Sequence, residues 1–504
     1  MRVLFALLMM MTGLAAQAAQ APDQVLHGEL SGKDNRSYRS VPFQVPAGVS
    51  RITIDFAYTG KDEHTTIDLG LLGPGGFRGQ DGFRGWSGGN KHIFTVAATD
   101  ATPSYLPGPI QPGRWTLLLG IPNIRPTAHA SYTARIWFAR DAADAWGPRE
   151  LNLPLRATAG WYRGDLHMHG AHSDGSCTSQ SGAQRVACPL FMTAGQAVSR
   201  GLDFIALSDH NAISQLDDIR ELQPYFDRLL LIPARELTTF QGHANLFGAV
   251  QPVDFRVGSA SVPDWNSLLR NIAALHGLLS INHPIRANDE SCMGCGWTPA
   301  QAVDMHRVQA IEAVNGLDAL APQWSGIPFW QHQLDLGFRL TAIGGSDNHD
   351  AKQPMSLPGG ALIGTPTTVV HASELSVDAI LEGIRAGHVF IDTQGTRDRM
   401  LELTAQLGTH TAEMGDALAA PSGSTVHVEL TVTAPAGSRV ELVSDHDAIQ
   451  PKIDPAIRGV SQKLSFDWSS DGQRHWLRAN VRGAGGELLL VGNPIYLNAP
   501  ETAQ

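Results

Sequence analysis

The sequence predicts an α/β protein with a central βα-repeat and β-rich segments on either side. Three observations carry this. Between residues 158 and 397, short apolar runs alternate with helix-patterned stretches, the texture of a parallel sheet with crossover helices. Residues 22–145 and 398–500 instead show short alternating runs broken by Gly and Pro. His, Asp and Glu gather where the central apolar runs end.

In chain order, residues 1–18 read as a secretory signal peptide. Arg2 supplies the positive start, Val3 to Leu14 the apolar core, and Ala16-Gln17-Ala18 the cleavage site. The apolar run is shorter than the ~20 residues a membrane span requires, and no other stretch is long enough to span. A periplasmic or secreted location follows as the expectation. Residues 22–145 carry strand runs such as Ser50–Phe56 and Trp115–Leu119 and predict a β-sandwich of jelly-roll type. Pro148 and Pro154 mark a linker over 146–158. In the central segment, helices are expected at 192–201, 263–276, 299–307, 325–337 and 376–386. Strands are expected at 203–207, 229–233, 278–281, 309–314 and 340–343. Residues 398–500, with runs such as Thr425–Val432, Arg439–Val443 and Glu487–Val491, predict a second β-sandwich-like domain.

Composition narrows the function classes. The 504 residues are 43% hydrophobic and 17% charged, an ordinary globular balance. A net charge of −11 argues against a nucleic-acid or anionic-membrane surface, which needs basic excess. It leaves room for a small anionic substrate, since metal ions supply local positive charge. Four cysteines in an exported chain read as disulfides, most simply Cys177 with Cys188 and Cys292 with Cys295. Cys292-Met-Gly-Cys295 also has the form of a redox motif or half a zinc site.

The chemistry concentrates in GDLHMHGAHSDGS, residues 164–176. His167 and His169 share one face of a strand, and small residues after them let the chain turn Asp174 back. His210 follows the strand at 203–207, Glu236 that at 229–233, His283 that at 278–281, and Asp347 and His349 that at 340–343. His243 opens another apolar run. Strand ends of a βα-barrel open on one face, so these groups converge on one rim. Nine His and carboxylate donors exceed one tetrahedral site and imply two or three divalent ions, Zn, Mn or Fe. Such ions lower the pKa of a bridging water, so a metal-bridging hydroxide would serve as nucleophile. Any one of these histidines alone would read as a structural hydrogen-bonder; the joint arrangement does not. Asp209 reads as orienting His210, and His172 as solvated. His276, His306, His332, His371 and His388 read as core or surface residues.

The motifs DLHMHGAHSDG, ALSDHN, Glu236 with Gly242-His243-Ala244-Asn245, INHP, AVNG and GGSDNH resemble the PHP (polymerase and histidinol phosphatase) superfamily, over about residues 160–395. With GTPTTVV and LEGIRAGHVFI they look closest to its CehA/McbA metallohydrolase branch. The resemblance implies a distorted (β/α)7 PHP barrel with a di- or trinuclear site. His167, His169, Glu236 and Asp347 would hold one ion. Glu236 and His283, with His243 as a further candidate, would hold a second; Asp174, His210 and His349 would hold a third. Gly170 stands where many relatives carry Thr. Residues Asn288 to Trp297 form an insertion that could overhang the site.

The resemblance implies ester hydrolysis, most often of phosphoesters. Glu236 and Asp347 are then the expected catalytic carboxylates. Arg286, beside His283, is a candidate for gripping a phosphate oxygen bidentately. Arg235, beside Glu236, reads equally as a phosphate binder or as paired in the barrel wall. A carboxyl- or carbamate-ester hydrolase is the alternative, with Phe240, Phe247, Trp297 and Trp324 lining a more apolar pocket. A non-catalytic envelope-binding protein is the second alternative.

Overall fold

The computed structural model describes residues 20–499 apart from 80, 90, 141–152, 291, 293, 354–359 and 452. The expected signal peptide and most of the expected linker lie outside the described residues. The protein is mixed α/β, rich in strands, with five α-helices among the described residues. No helix among them is long and apolar enough to cross a membrane.

Gln24 to Ala139 forms two four-stranded antiparallel sheets. Strands Gln24–Ser31, His129–Ala139, Arg51–Tyr58 and Ile93–Ala97 make one. Strands Ser37–Val45, Gly113–Asn123, Thr66–Leu72 and Phe83–Ser87 make the other. Inward residues of both sheets, among them Ile52, Ile54, Leu69, Leu117, Leu119 and Ile136, share one hydrophobic cluster. Alternation along each strand sends its other residues outward.

The central strands run, in hydrogen-bonded order, Thr341–Gly345, Ala310–Asn315, Leu278–Ile281, Gly242–Phe247, Leu230–Thr239, Phe204–Leu207 and Gly160–Asp165. Neighbours pair in parallel except around Gly242–Phe247, which is antiparallel to both of its own. The cause is local. Only Phe240 and Gln241 separate it from the preceding strand, enough for a hairpin, whereas a parallel return needs a dozen residues or more. The two ends of the run meet. Met168 bridges Asn348 in parallel, and the Asp347 amide donates to the His167 carbonyl at 2.8 Å. Asp165, fully buried, ties this seam. Its carboxylate accepts from the amides of His167, Ser346 and Gly364, while burial pushes its pKa up to about 6.

Alternate residues of these strands divide between cores. Leu166, Phe204, Ala206, Ile232, Ala234, Phe247, Leu278, Ala310 and Ile343 share one cluster. Ile205, Leu207 and Leu231 face helices Leu190–Arg200 and Gln215–Leu222, while Leu279, Ile281 and Ile311 face Trp265–Ala273 and Ile327–Asp335. Gln215–Leu222 was not expected from the sequence. The expected helix at 299–307 is absent apart from a 3-10 turn at Met305–Arg307. Side chains claim its backbone instead: Asn266 takes the Ala302 carbonyl and Asp304 amide, and Gln241 the Ala300 amide.

Past Val389–Asp392 the chain adds strands to the same sheet. Leu488–Gly492 pairs with Val389–Asp392 and with His475–Arg482. A separate sheet of His410–Glu413, Met400–Leu407, Thr425–Thr433 and Ser461–Ser469 packs over them. The C-terminal strands are therefore partly continuous with the central ones. Of the two expected disulfides, Cys292–Cys295 is formed. Cys177 and Cys188 are buried free thiols instead, and the Cys177 sulfur packs 3.6 Å from Met192 Sδ.

A buried ion triad joins the N-terminal sheets to the central unit. Asp100 binds Arg51 bidentately at 2.9 and 3.1 Å and also pairs with Arg220 of helix Gln215–Leu222. Burial disfavours the Asp100 carboxylate, but Arg220 and Arg51 outweigh it and hold its pKa below the ordinary value. Asp100→Asn removes the negative charge that Arg51 and Arg220 share, and breaking such a buried network costs about 3–5 kcal/mol. The expected loss in urea unfolding is largest near neutral pH. The carboxylate's contribution is present above its unfolded pKa of about 3.9 and fades as pH falls through the lower folded value, so mutant and parent should converge in acid.

Candidate metal centre

The strand run delivers its polar residues to one end. His167 and His169 follow Gly160–Asp165, His210 follows Phe204–Leu207, Glu236 sits near the end of Leu230–Thr239, and His243 starts Gly242–Phe247. His283 follows Leu278–Ile281, and Asp347 and His349 follow Thr341–Gly345. Asp174 returns on the turn after His169. This turn closes tightly, because a Cβ on Gly175 would lie 2.4 Å from the His169 carbonyl oxygen. His283 and Asp347 both hold positive φ, 28° and 53°. Such backbone is costly for residues other than glycine and collects at functional sites.

All nine residues converge. Glu236, 1% exposed, is the hub. Its Oε1 lies 3.4 Å from His167 Nε2, 3.4 Å from His243 Nδ1 and 3.3 Å from His283 Nε2. Its Oε2 lies 2.7 Å from His210 Nδ1 and 3.8 Å from His169 Nε2. Asp347 Oδ1 lies 3.3 Å from His167 Nε2 and 3.2 Å from His169 Nε2. Asp174 Oδ1 lies 3.6 Å from His210 Nε2 and 3.4 Å from His349 Nε2. Four overlapping donor sets result: His167 with His169 and Asp347; His167 with Glu236 and His283; His169 with Asp174, His210 and His349; and His243 with His283 and Cys295.

The spacing is informative. Tetrahedral ligands with bonds of about 2.0–2.3 Å stand roughly 3.3–3.8 Å apart, longer than a charge-assisted hydrogen bond. Most separations here fall in that range. His167 Nε2, His169 Nε2 and His243 Nε2 are buried with no hydrogen-bond partner among the described residues. An orphaned buried nitrogen costs free energy unless something else takes its lone pair. The donors therefore fit divalent cations.

The electrostatics agree. Burial raises the Glu236 and Asp347 pKa values, but the facing histidines, His167 foremost, hold both carboxyls well below the usual range. Burial disfavours charge on His167, yet Glu312, Asp347 and Glu236 raise its pKa well above the ordinary value. His169 is lowered, chiefly by burial. The carboxylates stay ionised and demand positive charge, which a cation supplies without protonating the imidazoles.

Support residues fix the donors. Glu312, missed from the sequence, accepts from His167 Nδ1 at 2.9 Å, the His283 amide at 3.0 Å and Asn315 Nδ2 at 3.1 Å. That bond leaves His167 Nε2 free to ligate. The signal was present as a lone carboxylate within the apolar strand Ala310–Asn315. Gly345 makes room, since a Cβ there would lie 2.3 Å from His167 Cβ. Asn282 holds Glu236 Oε1 at 2.8 Å.

Other expectations are corrected. Asp209 does not orient His210; it accepts from the Gly170 amide and Ser173 hydroxyl, both at 2.8 Å, and so fixes the turn. Thr238 Oγ1 holds His210 Nδ1 at 2.6 Å. His172 bonds Ser214 and Asp218, away from the donor sets. Arg235 has no carboxylate partner among the described residues: it is buried and donates to the Ala249 carbonyl at 2.7 Å. Arg286 reaches the rim, donating to Asp318 at 2.7 Å and Asn315 at 3.1 Å, over the Trp324 ring. Asn315 in turn donates to Asp347 at 3.3 Å. Phe247 lies in the core and Trp297 packs on Trp265, leaving Phe240 and Trp324 as the exposed aromatics of that expected pocket. Elsewhere, His388 pairs with Asp416 at 3.3 Å, with Glu413 nearby.

No protein-family model matches the sequence, and no curated protein matches it. Among solved structures, the chain is similar to a two-domain protein from Bacteroides vulgatus that contains a predicted PHP-like metal-dependent phosphoesterase. The identity is 16%, over 67% of this chain and 95% of that one, with a TM-score of 0.37. A xylanase 10C variant from Cellvibrio japonicus, in complex with xylopentaose, matches over 43% of each chain at 8% identity and a TM-score of 0.15. Functional weight rests on the donor geometry.

Glu312→Gln should weaken metal affinity about 10–100-fold while leaving the saturated stoichiometry intact, the pattern for a group that orients a ligand. Glu236→Gln should lower the stoichiometry itself. Chelator competition and metal analysis of folded protein distinguish the two.

Proposed function

We propose that the protein is an exported metal-dependent phosphoesterase, built on a distorted (β/α)7 barrel of PHP type and the CehA/McbA branch. The observation that carries this is the rim of nine donors at coordination spacing, beside a guanidinium one residue removed from Asp347. His167, His169, Glu236 and Asp347 would hold one ion, Glu236, His243 and His283 a second, and Asp174, His210 and His349 a third. The meeting of strand ends at Met168 and Asn348, and the cluster shared by all seven strands, support the barrel reading.

Bound divalent cations supply Lewis acidity and an activated water at neutral pH. The chain's own residues do the rest. Asn282 and Glu312 hold Glu236 and His167 in register, so little reorganisation accompanies reaction. Arg286 spends one terminal nitrogen, Nη2, on Asp318 and Asn315. Its other donors, which bond nothing among the described residues, would grip an anionic oxygen in a fixed plane. Trp324 beneath it keeps that plane oriented.

Arg286 at the rim favours phosphoesters over carboxyl or carbamate esters, which carry no charge to pair with it. Metal-loaded protein should turn over an aryl phosphomonoester or diester faster than aryl acetates or carbamates. Chelation and His167→Ala should abolish turnover. Arg286→Ala should reduce kcat/KM on the phosphoester by about 10–100-fold, the loss of one charge-assisted bond of ~1.5–3 kcal/mol, and leave aryl acetate turnover unchanged. Preference for aryl acetates or carbamates would favour the alternative hydrolase. No turnover by fully loaded protein would favour an envelope-binding role.

A further inference from the structure

The loop from Asn288 to Trp297 bears on the site through its disulfide. Cys295 is 5% exposed, whereas its partner Cys292 is exposed. The Cys295 sulfur and one ring nitrogen each of His243 and His283 all lie within 4.8 Å of one another. The Cys295 carbonyl also sits 3.1 Å from His283 Nδ1, where it turns His283 Nε2 toward Glu236.

We propose that Cys292–Cys295 is a redox gate on the metal centre, and that its reduction adds the Cys295 sulfur to the ion shared by Glu236, His243 and His283. The inference rests on the metal-centre reading above. In the disulfide the sulfur is committed to Cys292. Its position does not depend on that bond. The Trp297 amide donates to the Pro284 carbonyl at 2.8 Å, the Thr298 amide to Gln241 at 3.2 Å, and the Gly294 amide to Asn288 Oδ1 at 2.6 Å. Trp297 also packs on Trp265 at 4.6 Å between ring centroids. Opening the disulfide therefore leaves Cys295 beside the two histidines.

The exposed sulfur is the accessible one. A thiolate of an external dithiol attacks Cys292 Sγ, the S–S bond breaks, and Cys295 departs as a thiolate. The second thiol of the reductant resolves the mixed disulfide. Two electrons pass to the protein, the reductant leaves as its own disulfide, and Cys292 ends as a thiol. Of the dithiol's two protons, one stays on Cys292 and the other goes to solvent, because Cys295 binds the cation as thiolate. A thiolate is a soft donor and shifts preference toward zinc or cobalt over manganese.

The test uses the full chain, stripped of metal and loaded with cobalt(II), either oxidised or reduced by a dithiol that is then removed anaerobically. Reduced protein should show thiolate-to-cobalt charge-transfer absorption that oxidised protein lacks. Its zinc affinity should rise at least about tenfold, equivalent to ~1.4 kcal/mol. Cys292→Ser should show the absorption without reductant, and Cys295→Ser should lack it in either state. Cobalt bound with one unchanged spectrum in oxidised, reduced and Cys292→Ser protein overturns the gate and leaves the metal centre standing. Absorption that persists in Cys295→Ser overturns it in favour of another cysteine, the freed Cys292 included. No cobalt bound in any form overturns gate and metal centre together.

Discussion

A carboxylate enclosed by imidazoles and withdrawn from water is the constraint on which the structure turns. Glu236 faces five histidines within 3.8 Å, inside a fold that leaves it 1% exposed. Charges in such a place are tolerated only when paired and geometrically fixed. The surrounding residues can be understood as answers to that demand. Asn282 fills one lone pair of Glu236, Glu312 sets the tautomer of His167, and Thr238 holds His210. Most donors stand at coordination spacing from one another, and His210 Nδ1 lies closer, 2.7 Å from Glu236 Oε2.

The backbone is shaped to the same end. Most donors sit just past a strand's last residue, where the chain turns sharply, at Gly175 after Asp174 and through positive φ at His283 and Asp347. Asp165 contributes no donor. It closes the seam between the first and last strands, so that His167 and Asp347 arrive on the same side. A buried carboxylate spent on three amides is a large commitment to one registration of strands.

Most donors were legible because they lie at or just beyond the end of an apolar run, and strand ends of such repeats share a face. Their supports were not. Glu312 reads as one charge within a strand, and only the fold shows His167 opposite it. Helix Gln215–Leu222 was hidden because Leu216 and Ile219 are its buried apolar residues among four charges. The stretch at 299–307 had helical spacing, but its backbone is spoken for by Asn266 and Gln241. The reversal of Gly242–Phe247 was not read, because the preceding strand was expected to end at 233; it runs on to Thr239, and the two-residue connection left permits only a hairpin. Cys177 and Cys188 show the opposite failure: proximity in sequence suggested a bond, and the two thiols are packed into an apolar cluster instead.

Helix Gln215–Leu222 is gripped from two directions. Arg220 and Asp217 reach out to Asp100 and the Ala101 amide of the N-terminal sheets. Asp218, on the same helix, and Ser214 at its start hold both nitrogens of His172, inside the turn between His169 and Asp174. The helix thus links the N-terminal sheets to the turn that carries His172 and Asp174. One short helix therefore sets two things at once, the seat of the N-terminal sheets and the turn from which Asp174 extends.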